Sequence, residues 1–234
     1  ARDIINLWVA RMIFSGIEFM KEIPFKEVYI HATILTKEGK RMSKSLGTGV
    51  DPLDLIEKYG ADATRFGITW QITGNQDIRF AQDHIMMGKK FCNKIWNATR
   101  FILLQIENSK FQILNPKQIQ NLTLADKKIL KVSNKTIKSV NKDLENFQFG
   151  KATHTLYNFF WHNFCDKYIE EAKKQLGIPK LKNQTLTILF SILLTSLKLL
   201  HPFIPFITEE IYQKLPLRKK KKCLMIEEWP SLYK

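Results

Sequence analysis

The pattern of apolar and polar positions changes character once along the chain, near residue 75. Before that point the pattern is mixed. Residues 3–20 carry apolar side chains such as Ile4 and Trp8 at helical spacing, and they predict a helix with Asp3 near its start. Residues 27–35 are dense in β-branched and aromatic side chains and predict a strand. The first part of the chain therefore combines helix with strand.

A helix start and a helix stop precede the second part. Asp51 followed by Pro52 supplies an N-cap with proline at the first helical position, and Gly60 is suited to end that helix. Beyond Asn75 helical spacing dominates and no segment convincingly predicts a strand. The predicted helices lie near residues 82–106, 123–145, 151–175, 184–200 and 208–215. Together they predict a helical bundle of about 150 residues.

The first helix of the predicted bundle has two unlike sides. Advancing 100° per residue gathers one set of side chains into a core face: Ile85, Cys92, Ile95, Thr99, Leu103 and Ile106. Nearly opposite, the ring of Phe101 joins Lys90, Lys94 and Asn97, with Arg100 at the flank. A second packing surface against another helix would explain Phe101. A ring among phosphate-binding side chains also suits stacking on an unpaired RNA base.

The charge of the chain narrows the choice of partner. Its 234 residues include 37 lysines and arginines against 22 aspartates and glutamates, a formal net charge of +15. Such an excess favours a polyanionic partner, nucleic acid before membrane. A lysine-rich surface with no specific partner is the alternative. The run Lys219–Lys222 predicts a flexible surface loop.

Cysteine usage and hydropathy exclude several classes of protein. Cys92, Cys165 and Cys223 are far apart in sequence and odd in number, so neither a zinc site nor a disulfide framework is predicted. A reducing, cytoplasmic location fits this usage. The longest apolar run, Leu186–Leu200, contains Lys198 and falls short of a bilayer span, which predicts a buried core helix and no membrane partner.

One short stretch carries an unusual density of chemistry. The sequence KEGKRMSKSLG, residues 37–47, places cations and serine hydroxyls between two glycines. Such a loop can wrap a phosphate chain, because ammonium and guanidinium groups neutralise phosphate oxygens while hydroxyls add directed hydrogen bonds. Neither G-x-x-x-x-G-K-[ST] nor G-x-G-x-x-G is present, so this is not one of the two standard phosphate loops. A solvated basic turn is the other interpretation.

Within this stretch, Arg41–Ser45 reads RMSKS and is similar to the KMSKS signature of class I aminoacyl-tRNA synthetases, with Arg41 where the family usually has Lys. Other segments, in the same order, resemble the valyl-tRNA synthetase family. They are Asp3 with WVARM at 8–12, Asp51-Pro52, YGADA at 59–63 with Arg65-Phe66, QDIR at 76–79, NKIWNA at 93–98, and HPF at 201–203 with Glu209-Glu210. Isoleucyl-tRNA synthetases are the closest competitor, but they typically have Gly-Trp-Phe-Gln in place of residues 7–10.

The resemblance implies a mainly α fold in two parts. Residues 1–80 would be the C-terminal end of a Rossmann-type α/β catalytic domain with the KMSKS loop, and residues 81–234 a helical-bundle anticodon-binding domain. Members of the family activate an amino acid with ATP, with Mg²⁺ expected, and transfer it to tRNA. The implied partners are tRNA(Val), ATP and valine, and no metal site is expected in this chain.

The resemblance also implies site residues. Lys44 would be catalytic, by stabilising charge on the triphosphate, with Arg41 assisting. The residues implied for ATP binding are His31, Arg41, Met42, Ser43 and Lys44. Asp3 and Trp8 would shape the amino-acid pocket, and the residues implied for tRNA binding are Lys94, Asn97, Arg100 and Phe101. Structural roles remain open for three of these residues: a strand histidine at 31, a packed methionine at 42 and a core tryptophan at 8.

The family's other ATP signature, H-I-G-H, is absent around the five histidines of the chain. The expectation is therefore that this chain is part of a longer enzyme and does not activate valine alone. A tRNA-binding module without catalysis and a basic protein that binds other proteins are the two alternative functions.

Overall fold

The computed structural model describes residues 2–43, 47–72, 74, 76–109, 122–217 and 219–233. Helix α1 consists of three consecutive segments, Ile5–Val9, Ala10–Ser15 and Gly16–Met20. Strand β1 is Ile34–Leu35, α2 is Pro52–Tyr59, α3 is Ala61–Trp70 and β2 is Ile78–Arg79. The bundle follows with α4 (Gln82–Glu107) and α5 (Leu124–Glu145). Helix α6 also consists of three consecutive segments, Phe149–Tyr157, Asn158–Ile169 and Glu170–Leu176. Helices α7 (Pro179–Leu200) and α8 (Pro205–Lys214) complete the bundle.

Helix α1 confirms the helix predicted over residues 3–20, but it buries nothing. None of the residues in its three segments is buried. Large apolar side chains along it are instead exposed: Ile5, Leu7, Trp8, Met12, Phe14, Ile17, Phe19 and Met20. No element in the described part of the chain buries these side chains, although Arg2, just before α1, contacts Asp77 at 3.7 Å.

The prediction of a strand over residues 27–35 is mostly wrong, because only Ile34–Leu35 forms one. Only β1 pairs, and it pairs in parallel with β2, so that Ile34 lies opposite Ile78. Strand β2 itself falls where no strand was predicted. The cause is physical, since an extended segment becomes a strand only where a neighbour completes its backbone hydrogen bonds. Residues 27–33, before β1, have no regular secondary structure, and Tyr29 packs on Phe147 and Phe149, with ring centroids 5.6 and 5.4 Å away.

Helices α2 and α3 are placed as their capping residues predict. The Asp51 carboxylate accepts a hydrogen bond from Leu53 N at 2.8 Å, Pro52 takes the first helical position, and Gly60 separates the two helices with φ of +92°. Helix α3 then crosses α4 at very short range. A Cβ on Gly67 would lie 2.6 Å from Ile85 Cα, so only glycine allows the crossing there.

The bundle confirms all five predicted helices, with changes at their ends. Helices α7 and α8 begin earlier than predicted because Pro179 and Pro205 occupy the first helical position of each. The core is rich in aromatic rings; its largest fully buried side chains include Phe66, Phe91, Phe159, Phe160, Phe164 and Phe190. Helix α7 is long and apolar enough to cross a membrane, yet 72% of its most apolar window is buried inside the protein. It is a core helix, as the sequence predicts.

Candidate functional site

The signature loop closes on itself at its base. Ser43 N donates to Thr48 Oγ1 at 3.0 Å, and Thr48 N donates to Ser43 O at 3.1 Å. Both ends of the loop are thereby held together, and Gly47 adopts φ of +64°, a conformation that favours glycine. Lys44, on which the prediction of catalysis depends most, lies with Ser45 and Leu46 outside the described residues.

A tight turn directs Arg41. Gly39 N donates to Thr36 O at 2.9 Å and Thr36 N donates to Lys40 O at 2.8 Å, so the chain reverses and Arg41 forms an antiparallel bridge with Leu35. The Arg41 side chain is exposed. The turn therefore presents a guanidinium at the surface beside the closed loop.

Charged groups from distant parts of the sequence interact near this turn. A hydrogen bond from its own backbone lowers the pKa of Asp3, and the positive charge of Arg41 contributes to the same shift. The Arg2 guanidinium meets the Asp77 carboxylate at 3.7 Å, and that carboxylate also accepts from Thr33 N at 3.1 Å. The start of α1, the turn before the loop and the entry to β2 are thus connected by charge.

The remaining predicted residues of this region differ in their environments. Met42 is half-buried and packs on a small cluster that joins Leu55, Ala63, Phe80 and Ile85, so its side chain is a packing residue. His31 is exposed, and its Nδ1 lies 2.9 Å from the carbonyl oxygen of Ala32. Trp8 is 64% exposed on α1, which excludes the core role for it in this chain. The Met42 cluster matters because it includes Ile85 of α4 and so links the loop to the bundle.

A pair of opposite charges on α3 attaches that helix to the turn between α7 and α8. Asp62 accepts from the backbone N–H groups of Phe206 and Ile207 at 3.1 and 2.7 Å, where α8 begins. Arg65 donates to the carbonyl oxygens of Pro202 and Phe203 at 3.0 and 3.4 Å, just beyond the end of α7. Each charge faces the helix end whose dipole it complements. We call Asp62 and Arg65 the α3 clasp.

The environment of the α3 clasp shifts two pKa values. Burial raises the pKa of Asp62, while its two N–H donors and Arg65 oppose that shift. Burial also lowers the pKa of His201, which the nearby carboxylates of Glu209 and Asp62 partly offset. His201 Nδ1 lies 2.8 Å from Thr208 Oγ1, and its Nε2 is buried without a hydrogen-bond partner in the described part of the chain.

The predicted tRNA-binding side of α4 is more enclosed than the sequence suggested. The buried side is centred on Phe91, Ile95 and Ile102, which places Lys94 and Phe101 at its border, half-buried, instead of nearly opposite. The direction of the buried side was predicted wrongly because the predicted core face was drawn around apolar residues on one flank of it. The neighbouring aromatic rings of α6 could not be identified from the sequence of α4 alone. Asn97 and Arg100 are exposed.

Lys94 and Phe101 both have partners on α6. Lys94 Nζ lies 2.9 Å from Asp166 Oδ1 and 5.2 Å from the ring centroid of Trp161. The hydrogen bond to Asp166 raises the pKa of Lys94, so it stays charged. Lys173 Nζ lies 5.6 Å from the ring centroid of Phe101. Two of these α6 partners, Trp161 and Asp166, were missed because they fall in the segment Asn158–Ile169, whose π-type winding departs from the 3.6-residue period.

The described residues were examined for clusters that could hold a metal ion and for reactive thiols. No group of three histidine, cysteine or acidic residues is placed to hold a metal ion within the described ranges. Burial raises the pKa of the Cys92 and Cys165 thiols to about 12, which leaves them protonated and unreactive at neutral pH.

Comparison with known proteins agrees with these features. Residues 1–81 match the family described as tRNA synthetases class I (I, L, M and V), and residues 126–234 match the anticodon-binding domain of tRNA ligase. The chain belongs to the class I tRNA synthetases. Within them it is 46% identical to valine–tRNA ligases of Thermotoga maritima and Clostridium tetani, and 45% identical to that of Carboxydothermus hydrogenoformans, over 98% of this chain in each case. The chain spans 26% of the length of these relatives.

A solved structure shows the same fold. The LeuRS of Agrobacterium radiobacter K84, crystallised in a ternary complex with tRNA and LeuAMS, superposes with a TM-score of 0.73 at 22% identity. The match covers 96% of this chain and 26% of the LeuRS chain. The predicted mainly α fold of a class I synthetase segment is thereby confirmed, while the division at residues 80 and 81 stays a prediction.

Proposed function

We propose that this chain is the segment of a valine–tRNA ligase that supplies the KMSKS loop and recognises the anticodon of tRNA(Val). The enzyme would use ATP, with Mg²⁺, to form valyl-adenylate and then transfer valine to the tRNA, in the cytoplasm. One observation carries the proposal. Valine–tRNA ligases match 98% of the chain at 44–46% identity, across both the loop and the bundle.

In the adenylation step, this chain's contribution is positive charge at the triphosphate. Attack of the valine carboxylate on the α-phosphate releases pyrophosphate, and the developing charge needs preorganised cations more than covalent help. Arg41 is directed to the surface by its turn, and the Ser43–Thr48 pair closes the loop that contains Lys44. Asp3, near Arg41, and Trp8 would face the valine pocket, and His31 and the backbone at Met42 would lie against adenosine.

The role of Lys44 can be tested in a full-length valine–tRNA ligase that contains this segment. Lys44→Ala should slow valyl-adenylate formation by roughly 10²–10³-fold, because one preorganised charge-stabilising group is lost. Valine affinity should barely change. Lys26→Ala, which removes an exposed lysine outside residues 37–47, is the control variant. A Lys44→Ala adenylation rate within about threefold of wild type would exclude Lys44 from this role.

The isolated chain is expected to fold without catalysing adenylation. Residues that bind the other half of ATP are implied to lie in the remainder of the enzyme, since the relatives are far longer than this chain. The measurement is valine-dependent pyrophosphate exchange by the purified chain. Any exchange above background would contradict the expectation. Inactivity combined with tRNA binding by the isolated chain would be the result expected here.

For anticodon recognition we propose the side of α4 that carries Lys94, Asn97, Arg100 and Phe101. Phe101 would stack on an anticodon base, Lys94 and Arg100 would hold backbone or base edges, and Asn97 would support them. Lys173 now occupies one face of the Phe101 ring. The Lys173 ammonium also contacts the Glu170 carboxylate at 2.7 Å, so when a base replaces it on the ring it would exchange that carboxylate for an RNA phosphate.

Phe101→Leu tests the stack, because leucine keeps apolar bulk and removes the aromatic face. Binding to tRNA(Val) should weaken by ~1–3 kcal/mol, while binding to the same tRNA with a scrambled anticodon should hardly change. The measurement is the ratio of the two affinities at fixed salt. Met86→Leu, an exposed position near the start of the same helix, is the control. An unchanged ratio in a folded Phe101→Leu chain would show that Phe101 only packs.

A further inference from the structure

The run Lys219–Lys222, predicted to be a flexible loop, is held firmly to α8 in the structure. Lys221 N donates to the Tyr212 hydroxyl at 2.9 Å, and Gln213 Nε2 donates to Lys222 O at 3.0 Å. Lys220 Nζ donates in turn to Gln213 O at 2.6 Å. Both backbone groups and a side chain of this run are therefore hydrogen-bonded to α8. We call Lys219–Lys222 the basic loop.

The carboxylates nearest to the basic loop are already engaged by other groups. Glu209 accepts from Gln213 and from Leu224 N at 2.6 and 2.8 Å. Glu227 accepts from Tyr212 and Lys198 at 2.6 and 3.1 Å. Among the salt bridges of the described residues, none includes a lysine of the basic loop. Lys219, Lys221 and Lys222 are exposed, Lys220 is half-buried, and none of the four has a carboxylate partner among the described residues.

The basic loop follows a helix that borders α4. A cavity of about 280 Å³ is lined by Lys89 and Asn93 of α4 and by Phe206 and Ile207 of α8. Helix α8 therefore lies beside the first half of α4, next to the side proposed to face tRNA. The cavity adjoins the start of α8, and the basic loop follows the end of this ten-residue helix, about 15 Å away, so one RNA molecule seated on α4 can reach both.

We propose that the basic loop is a second tRNA-binding surface that contacts phosphates without reading bases. This inference rests on the proposed function, because it assigns one more contact to the same tRNA. Lysine ammonium groups neutralise phosphates as point charges. No aromatic ring lies within residues 216–223 for a base to stack on. The ring of Tyr212 is fully buried beneath the loop, so it supports the loop instead of contacting RNA.

The test compares two variants with the same change of charge. In the first, Lys219, Lys220, Lys221 and Lys222 are replaced by Gln. In the second, the exposed α5 lysines Lys127, Lys131, Lys135 and Lys138 are replaced by Gln. Affinity of each folded chain for tRNA(Val), for the scrambled-anticodon tRNA and for anionic phospholipid vesicles is measured over a range of salt concentrations.

The basic-loop variant should bind both tRNAs at least about tenfold more weakly, and its plot of log affinity against log salt should be flatter by about 2–3. Its preference for the valine anticodon should be unchanged, and the α5 variant should lose much less. Equal losses in the two variants would show a general charge effect and overturn the inference. Loss of vesicle binding without loss of tRNA binding would overturn it in favour of a membrane surface.

The proposed anticodon recognition and the inference about the basic loop can be refuted independently of each other. A wild-type chain that prefers the valine anticodon, together with a basic-loop variant of unchanged affinity, would refute the inference and leave the proposed function intact. A wild-type chain without anticodon preference, whose affinity still depends on the basic loop, would refute anticodon recognition and keep the inference. A wild-type chain that binds no tRNA would refute both.

Discussion

Phe164 in α6 is fully buried, whereas Phe14 in α1 is 75% exposed, and the same contrast separates the bundle from the first fifty residues. In the bundle, each helix turns its apolar side towards several neighbours. In α1, the apolar side chains meet none in the described part of the chain. Two helices that both carry large apolar side chains therefore stand in opposite situations. The comparison teaches that periodicity predicts a helix but does not tell whether the chain itself supplies the surface that the helix packs against.

The largest expected effect comes from exchanging the buried ring for a small side chain. Phe164→Ala should lower the free energy of unfolding by about 3–5 kcal/mol, because transfer and cavity terms add in a closed core. Phe14→Ala should change it by less than about 0.5 kcal/mol, since no packing is lost. Urea unfolding of the isolated chain measures both. Similar losses in the two variants would show that α1 is packed in solution and would end the comparison.

The α3 clasp is the next test, because it attaches α3, which lies between the two regions in sequence, to the bundle. Asp62→Ala removes the acceptor for two backbone N–H groups at the start of α8. The unfolding free energy should fall by about 1–2 kcal/mol, as for loss of a helix cap. Asp54→Ala on α2, whose carboxylate is exposed, is the control. A loss as small as that of the control would mean that the clasp contributes little to joining α3 to the bundle.

The far end of the bundle offers a smaller effect. Asp126 is fully buried, accepts from Tyr168 Oη at 2.8 Å and forms a capping box with Thr123. Tyr168→Phe removes one hydroxyl donor while the ring still packs, so the unfolding free energy should fall by about 0.5–1.5 kcal/mol. Tyr157→Phe is the matched control. If the two variants are equally stable, the Asp126 network does not help to fix the bundle.

The smallest effect concerns pH. Burial lowers the pKa of His201 below its ordinary 6.5, so the folded chain favours the neutral ring. The resulting stability is fully present above 6.5 and is lost as pH falls, because the unfolded chain takes up the proton first. His201→Asn should therefore reduce the loss of stability between about pH 7.5 and about pH 5. An identical loss in wild type and variant would assign the dependence to other groups.

Sequence reasoning located the bundle because its signals are local. Asp51, Pro52 and Gly60 act on their immediate neighbours, and the apolar period of α4, α5 and α7 requires no knowledge of the partner helix. The same reasoning missed β2, and it extended the first strand too far. Strands depend on a partner that can lie anywhere in the chain, as Ile34 and Ile78 show.

The candidate site was predictable only in part. The RMSKS segment was found because its charge and glycines are adjacent in sequence. The pairing of Lys94 with Asp166 was not, because it joins α4 to an irregularly wound part of α6. The contact of Lys173 with the Phe101 ring was not predicted either, because it joins two helices that are far apart in sequence. The contacts of the α3 clasp were not predicted for a similar reason. The segments that contain Asp62, Arg65 and their partners were recognised separately, but the partners are about 140 residues apart in sequence.

Hydrogen–deuterium exchange of the isolated chain, with and without tRNA(Val), tests the central claim most directly. The claim is that the bundle buries its own core and binds tRNA through α4, while nothing in the described part of this chain packs against the apolar side chains of α1. Without tRNA, amides of α4 and α7 should exchange slowly and those of α1 fast. Addition of tRNA(Val) should protect α4 around Lys94 to Phe101 and leave α1 unchanged. Equal protection of α1 and α4 without tRNA, or tRNA protection confined to α1, would contradict the account.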